Sequence, residues 1–478
     1  MVAGNSYALS SWLFLRVLGF IYFSAFISLA VQVRGLIGSE GLVPAIDLLN
    51  RHRRGGFRRV FRLPTLLWLN SSDRFLSSLC WTGAFLSIVL LIGIAPMPTL
   101  ILLWIFYLSF FTVSGPFLGY QWDILLLEAG FLAIFLTPME LLPRFPPSIA
   151  PSPIVVVLLW WLLFRLMWSS GLTKFLSGDR RWRDLTALAF HYETQPLPTP
   201  LAWYMHQLPL WFHRISTAIV LFIELVVPFL ILIPAARCTA GAMFIGLMIL
   251  IQLTGNYAFF NLLGIALCIP LFNDSALSRL FGLEHWHPAP ASAFSAVIST
   301  FPALLILLLS VVPLSLLFRR DVRWPPPLAK VVEFLTPFRL VNSYGLFSIM
   351  TIERPEIIIE ASENGVDWIE YEFKYKPGSV KRAPAFVAPH QPRLDWQMWF
   401  AAMGYYHNHL WVRRLLMRLM EGEPSVQALF KLNPFQKDRP RYIRCVLFDY
   451  RFTSWKERRA TGAWWRRERR GLYGPGVS

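Results

Sequence analysis

Residues 168–209 read WSSGLTKFLSGDRRWRDLTALAFHYETQPLPTPLAWYMHQLP, the longest polar interruption in a chain dominated by apolar runs of membrane length. The stretch is too polar to cross a bilayer, yet too rich in Trp, Phe, Leu and Tyr to be an ordinary solvated loop. Ser177-Gly178-Asp179 can cap a short helix, because a side-chain oxygen there satisfies free backbone N–H groups. Asp184 is placed to do the same for the DLTALAFHY segment. Pro196, Pro198 and Pro200 then deny the backbone a regular ladder and force an extended passage. The pattern predicts a folded insertion over 169–210, lying at a membrane surface and gathering Lys174, His191, Tyr192, Glu193 and His206. Two readings fit that density of polar groups: a working site, or a structural interfacial loop.

Working outward, apolar residues make up 55% of the 478-residue chain and charged residues only 15%, against about a quarter in soluble domains. Runs of membrane-spanning length fall near 10–33, 76–95, 98–114, 120–137, 153–168, 211–233, 238–253, 256–272 and 300–318. The fold class is therefore a mainly α membrane protein, a polytopic bundle of about eight or nine transmembrane helices, followed by a small C-terminal α+β domain. The proposed division is 1–321 for the membrane domain and 322–478 for a membrane-associated domain ending in a basic, Trp/Arg-rich tail. The N-terminal run lacks a basic start and a small-residue cleavage site, so it reads as a span rather than a cleaved signal.

The net charge is +17, and residues 319–478 hold 27 Lys/Arg against 16 Asp/Glu. Such an excess beside a membrane points to anionic lipid headgroups; no nucleic-acid motif accompanies it. Arg51, Arg53, Arg54, Arg58, Arg59 and Arg62 crowd the first polar connection and place it in the cytoplasm. With nine spans the N-terminus is then outside and the basic tail inside.

Asp123 and Glu128 lie in one span, five residues apart and so about 140° apart on a helix. They form no paired-carboxylate site by themselves. Arg165 and Glu224 are the other intramembrane charges, with Arg165 the natural partner for a carboxylate. Buried charges of this kind mark structural pairing or a cavity lining. The cysteines, Cys80, Cys238, Cys268 and Cys445, show no CxxC and no metal spacing. His407, His409 and His390 with Asp395 lack a fixed metal motif, and no metal or cofactor is assigned. There is no GxSxG, HExxH or phosphate loop, so the chain does not read as a serine lipase.

Beyond RRDVRWPPP, EIIIEAS and VDWIEYEFKY bracket Glu363-Asn364-Gly365, a hairpin signal. Residues 396–420 read as helix, with Trp396, Trp399 and Trp411 set to lie flat on the membrane. RYIRCVLFDYRF alternates like a strand with one wet face. WKERRATGAWWRRERRG interleaves Trp455, Trp464 and Trp465 with cations, as a membrane-surface segment does.

HYETQPLPTPLAWY, together with YQWDILLLEAGFLA (120–133), GNYAFFNLL (255–263), ERPEIIIEAS (353–362), YEFKYKPG (371–378) and RLDWQMWFAAM (393–403), resembles the lipase maturation factor family over most of the chain. The resemblance implies an integral membrane protein that brings secreted lipases to an active form, in the endoplasmic reticulum of a eukaryote or the inner membrane of a bacterium. It brings no settled catalysis. On this reading the client- or substrate-binding candidates are Tyr192, Gln195, Trp203, His206, Asp395, Trp396 and Trp399. A shorter stretch, GLTKF with Trp182, is similar to a segment of vitamin K-dependent carboxylases and implies Lys174 as a catalytic base, with His191 and Glu193 beside it. That gives the alternative, a membrane enzyme acting on a lipid-like or protein substrate. Lipid or solute transport draws only on the buried charges and proline kinks.

Overall fold

The computed structural model describes residues 6–56, 58–137, 140–283, 286–319, 322, 324–435 and 439–476. The apolar runs form helices α1 (Ala8–Ala30), α2 (Asp73–Ile92), α3 (Pro96–Val113), α4 (Gln121–Leu136) and α5 (Pro153–Leu176). Short helices α6 (Ala187–Thr194) and α7 (Pro200–His206) follow. The membrane part is completed by α8 (Leu210–Leu225), α9 (Arg237–Thr254), the pair α10 (Phe260–Cys268) and α11 (Asp274–Phe281), and α12 (Ala293–Phe318). Among the described residues seven helices are long and apolar enough to cross a membrane, or eight if the α10–α11 pair, bent by 105°, is one span. The protein is a polytopic helical membrane protein. The run at 120–137 folds as the 16-residue α4, whose charged groups are all buried.

Two expectations about the insertion need correction. Helix α5 runs on through WSSGLTKFL to Leu176, so Lys174 sits on a membrane helix and the insertion starts only at Ser177. Asp179 does cap the four-residue helix Arg180–Arg183. Asp184 instead ends that helix, and α6 begins after Thr186 without a side-chain cap. The chain leaves the helix at Leu185 in a left-handed turn, which removes Asp184 from capping position.

The C-terminal region contains strands β1 (Pro355–Ser362), β2 (Ile369–Glu370), β3 (Glu372–Phe373), β4 (Phe430–Leu432), β5 (Tyr442–Phe452) and β6 (Trp465–Leu472). The main sheet has the antiparallel order β2-β1-β5-β6, with Ile357 opposite Leu447 and Ile359 opposite Cys445. The antiparallel β1–β2 hairpin signalled by Asn364-Gly365 is present, but through a six-residue connection in which only Gly365, at φ +77°, is left-handed rather than through a two-residue turn. The helix expected over 396–420 is two helices, α13 (Arg393–Ala402) and α14 (Leu410–Glu421), separated by a turn. The domain boundary expected at 322 abuts Arg320, Asp321 and Arg323, which lie outside the described residues.

Strand β5 has no continuous wet face. Its Ile443 and Cys445 join the core shared with the membrane helices, while Val446, Phe448, Tyr450 and Phe452 pack on Tyr192, Ala202 and Trp203 of the insertion. The insertion is thus a wedge between the bundle and the sheet. Trp396, Trp399 and Trp411 are buried rather than laid on a surface. Trp396 meets Tyr120 and Trp122 of the membrane part, with the Trp122 ring centroid 4.8 Å away. Trp465 is buried on β6, and Trp464 stacks on Arg458 at 3.5 Å; these aromatics are used inside the fold.

Candidate functional site

The intramembrane charges fall into two groups. Asp123 on α4 pairs at 3.0 Å with Arg393 of α13, and Tyr107 donates to the same carboxylate at 2.5 Å. Glu128, on another face of α4, pairs with Arg165 of α5 and accepts from Tyr344 Oη at 2.7 Å and from the Asn342 backbone N–H at 3.0 Å. Both carboxylates therefore receive groups from the C-terminal part of the chain. All four ion-pair members are buried, where orphaning one member is far costlier than lacking the pair.

The second group lies where α5 meets α8. Lys174 Nζ stands 2.7 Å from both oxygens of Glu224 and 3.3 Å from the Ser170 carbonyl. Gly171, one turn before Lys174, makes this possible: a Cβ there would overlap Glu224 Cβ and the Leu225 side chain. The α5–α8 approach that seats the ion pair thus requires glycine. Glu224 is the partner of Lys174, not of Arg165.

The insertion adds a hydrogen-bonded chain. Tyr257 donates to Gln195 Oε1 at 2.8 Å, and His191 Nε2 lies 3.0 Å from the same hydroxyl. The GNY triplet builds this: a Cβ on Gly255 would overlap Gln195 Oε1 and the Tyr257 ring. Asn256 reaches the Leu197 and Ala385 carbonyls and accepts from the backbone of Val387 and Ala388. Phe347, held at φ +54°, sets its ring 4.8 Å from that of His191. Burial pulls His191 down to about 4, with the Lys174 charge adding to the effect, so the imidazole is neutral.

Lys174, Glu224, His191, Tyr192 and Tyr257 line one cavity of about 370 Å³, walled mostly by apolar side chains of α5, α8, α9 and the insertion. That is within the range of small-molecule sites. Other residues singled out in the sequence lie elsewhere. Glu193 accepts from Phe452 N–H at 2.8 Å and lies 3.4 Å from His206; burial raises its carboxyl, opposed by that N–H. Trp203 packs against Trp455, Trp464 and Arg458. Trp399 donates to the Thr194 carbonyl at 2.9 Å, and Asp395 accepts from the Tyr375 and Lys376 backbone. Tyr192, Gln195 and Trp203 of the insertion and Asp395, Trp396 and Trp399 of the C-terminal region are all buried, which corrects their expected exposure to a client. Arg354, which composition did not single out, donates to the carbonyls of Glu193, Gln195 and Pro196 and pairs with Glu356. It satisfies the backbone of the proline run that cannot ladder with itself.

The comparisons with known proteins cover both regions. The model of the lipase maturation factor transmembrane domain matches residues 9–279, and that of the lipase maturation factor C-terminal domain matches 340–475. The chain belongs to the lipase maturation factor family. It is 35% identical to lipase maturation factor 2 of Gallus gallus, over 98% of this chain and 81% of that protein. Against lipase maturation factor 1 of Bos taurus the identity is 36%, over 97% and 88%. Lipase maturation factor 1 of Homo sapiens gives 35%, over 97% and 87%. No solved structure matches. Several stretches that carry the family resemblance fall on the joints just described: Asp123 and Glu128 in YQWDILLLEAG, Arg393 in RLDWQMW, and Gly255-Asn256-Tyr257 in GNYAFF.

Proposed function

We propose that this protein is a membrane-embedded maturation factor that helps a secreted lipase, or a similar client protein, reach its active form. The observation that carries this reading is similarity to named lipase maturation factors over nearly the whole chain, through both regions. The architecture supports it: the C-terminal sheet is tied to the bundle by Asp123–Arg393 and by the insertion, so a client surface on that domain is held rigidly at the membrane. In a eukaryotic host the membrane is that of the endoplasmic reticulum; in a bacterial host, the inner membrane. Residues 1–321 form the membrane unit and 322–478 the unit beside it, whose basic tail meets anionic headgroups. The test is expression beside a client lipase in cells lacking their own factor. Secreted lipase activity should rise; no gain at normal abundance of the membrane protein would count against it.

The cavity favours one second reading, an enzyme with Lys174 as base. The three N–H groups of Lys174 already point to Glu224 and Ser170, so base action requires that pair to open. Lys174→Arg separates the readings: an enzyme loses turnover, whereas a scaffold keeps client maturation.

A further inference from the structure

We propose that the cavity beside Lys174 is a binding site for a neutral, hydroxyl-bearing acyl lipid of the monoacylglycerol kind, entering sideways between α8 and α9. This inference goes beyond client maturation and does not depend on it.

The mouth sets the route. Ile219 on α8 and Leu250 and Leu253 on α9 line the cavity and are exposed on the outer surface of two membrane-spanning helices. In a bilayer that surface meets acyl chains, so a lipid reaches the cavity without crossing water. The depth suits a chain: from Leu166 to Lys174 the α5 wall is about 12 Å long, and Leu247, Met248, Leu250, Ile251 and Leu253 of α9 and Ile219, Val220 and Ile223 of α8 face it with apolar side chains. The charged pair and His191 stand together near the C-terminal ends of α5 and α9, where the insertion begins, while Ser170, Tyr204, Ser216 and Thr254 dot an otherwise apolar lining. A mostly apolar cavity with one charged cluster fits an amphiphile.

The polar end selects the headgroup. Lys174 and Glu224 neutralise each other and Lys174 has no donor left. Tyr257 gives its proton to Gln195, so His191 Nε2 donates to the Tyr257 oxygen and Nδ1 is left as an acceptor. Tyr192 and Ser216 bring hydroxyls to the same lining. With Tyr204, which accepts from Arg458 and keeps its own proton, what remains is one ring acceptor and three hydroxyls, a set that pairs with hydroxyl and ester oxygens. A fatty-acid carboxylate would instead place a second negative charge beside Glu224, in a site where an unpaired buried charge is costly.

The experiment uses the full chain in phosphatidylcholine nanodiscs with a monoacylglycerol bearing a photoreactive diazirine in its acyl chain. Crosslinks are mapped by mass spectrometry and competed with unlabelled 1-oleoylglycerol or with oleate. Label should fall on 216–223 of α8 and 247–254 of α9. Oleate should compete at least about tenfold more weakly than 1-oleoylglycerol, since a lone buried charge costs more than the about 1.4 kcal/mol that a factor of ten represents. Val220→Trp or Ile251→Trp, each a partly exposed lining position, should abolish that label. Crosslinks scattered over other spans, or equal competition by oleate, would overturn the proposal, and both are read on the unmutated protein. Persistence of the label in both Trp variants would do the same.

Discussion

The two buried charge groups of this protein are chemically alike and structurally opposite. Around Asp123 and Glu128 the partners are all protein: Arg393, Tyr107, Arg165, Tyr344 and Asn342 converge on the carboxylates and join distant parts of the chain. Around Lys174 and Glu224 the pair is also buried, slightly less so, and a cavity opens beside it with His191, Tyr192 and Tyr257 in its lining. A buried ion pair alone therefore does not mark function, and the cavity next to Lys174 and Glu224 is what sets this pair apart and makes it our candidate site.

The largest expected effect lies at the closed group. Arg393→Ala leaves Asp123 buried and unpaired and should cost about 3–5 kcal/mol, read as lost folded yield and a lower Tm in detergent. Asp123→Asn combined with Arg393→Met should recover much of that loss. Equal losses for single and double variants would break the distinction between joint and site. Next comes Gly255→Ala, which forces Gln195 or Tyr257 aside; overpacking of this sort costs about 1–3 kcal/mol. It should lower Tm less than Arg393→Ala while disturbing the cavity.

Acid should act through histidine. His191 and His390 are both held at about 4, chiefly by burial, below the usual value near 6.5. The unfolded chain takes up protons first, so their contribution is complete above about pH 6.5 and is lost as pH falls towards 4. His191→Gln should flatten that part of the stability profile; an unchanged slope would remove His191 from the account. At the small end, Arg470→Ala breaks exposed pairs with Glu353 and Asp449 and should cost at most about 1 kcal/mol.

The sequence made the spans legible because twenty apolar residues admit few other fates. It made the Asn-Gly hairpin legible through its turn chemistry. The Asp123 partner was hidden because Arg393 lies 270 residues away on a helix that looked interfacial. No signal in the spans pointed there, because Arg16, Arg165 and Arg214 already match Asp123, Glu128 and Glu224 in number. Lys174 was visible as a residue but not as a span residue, since WSSGLTKF reads as polar until Gly171 is seen to let α8 approach. The tryptophans misled most. Trp396, Trp399 and Trp465 have the composition of a membrane belt; Trp396 is inside because it packs on Tyr120 and Trp122, Trp399 because it bonds the end of α6, and Trp465 because the α6–α7 wedge covers the sheet.

The central claim, that the open group is the site and the closed group a joint, is tested most directly by Lys174→Met combined with Glu224→Gln. Removing both charges orphans neither, so stability should stay close to that of the unmutated protein. Measured in nanodiscs, the monoacylglycerol photolabel on 216–223 and 247–254 should weaken sharply while Tm and abundance hold. Unchanged labelling of that double variant would contradict the account.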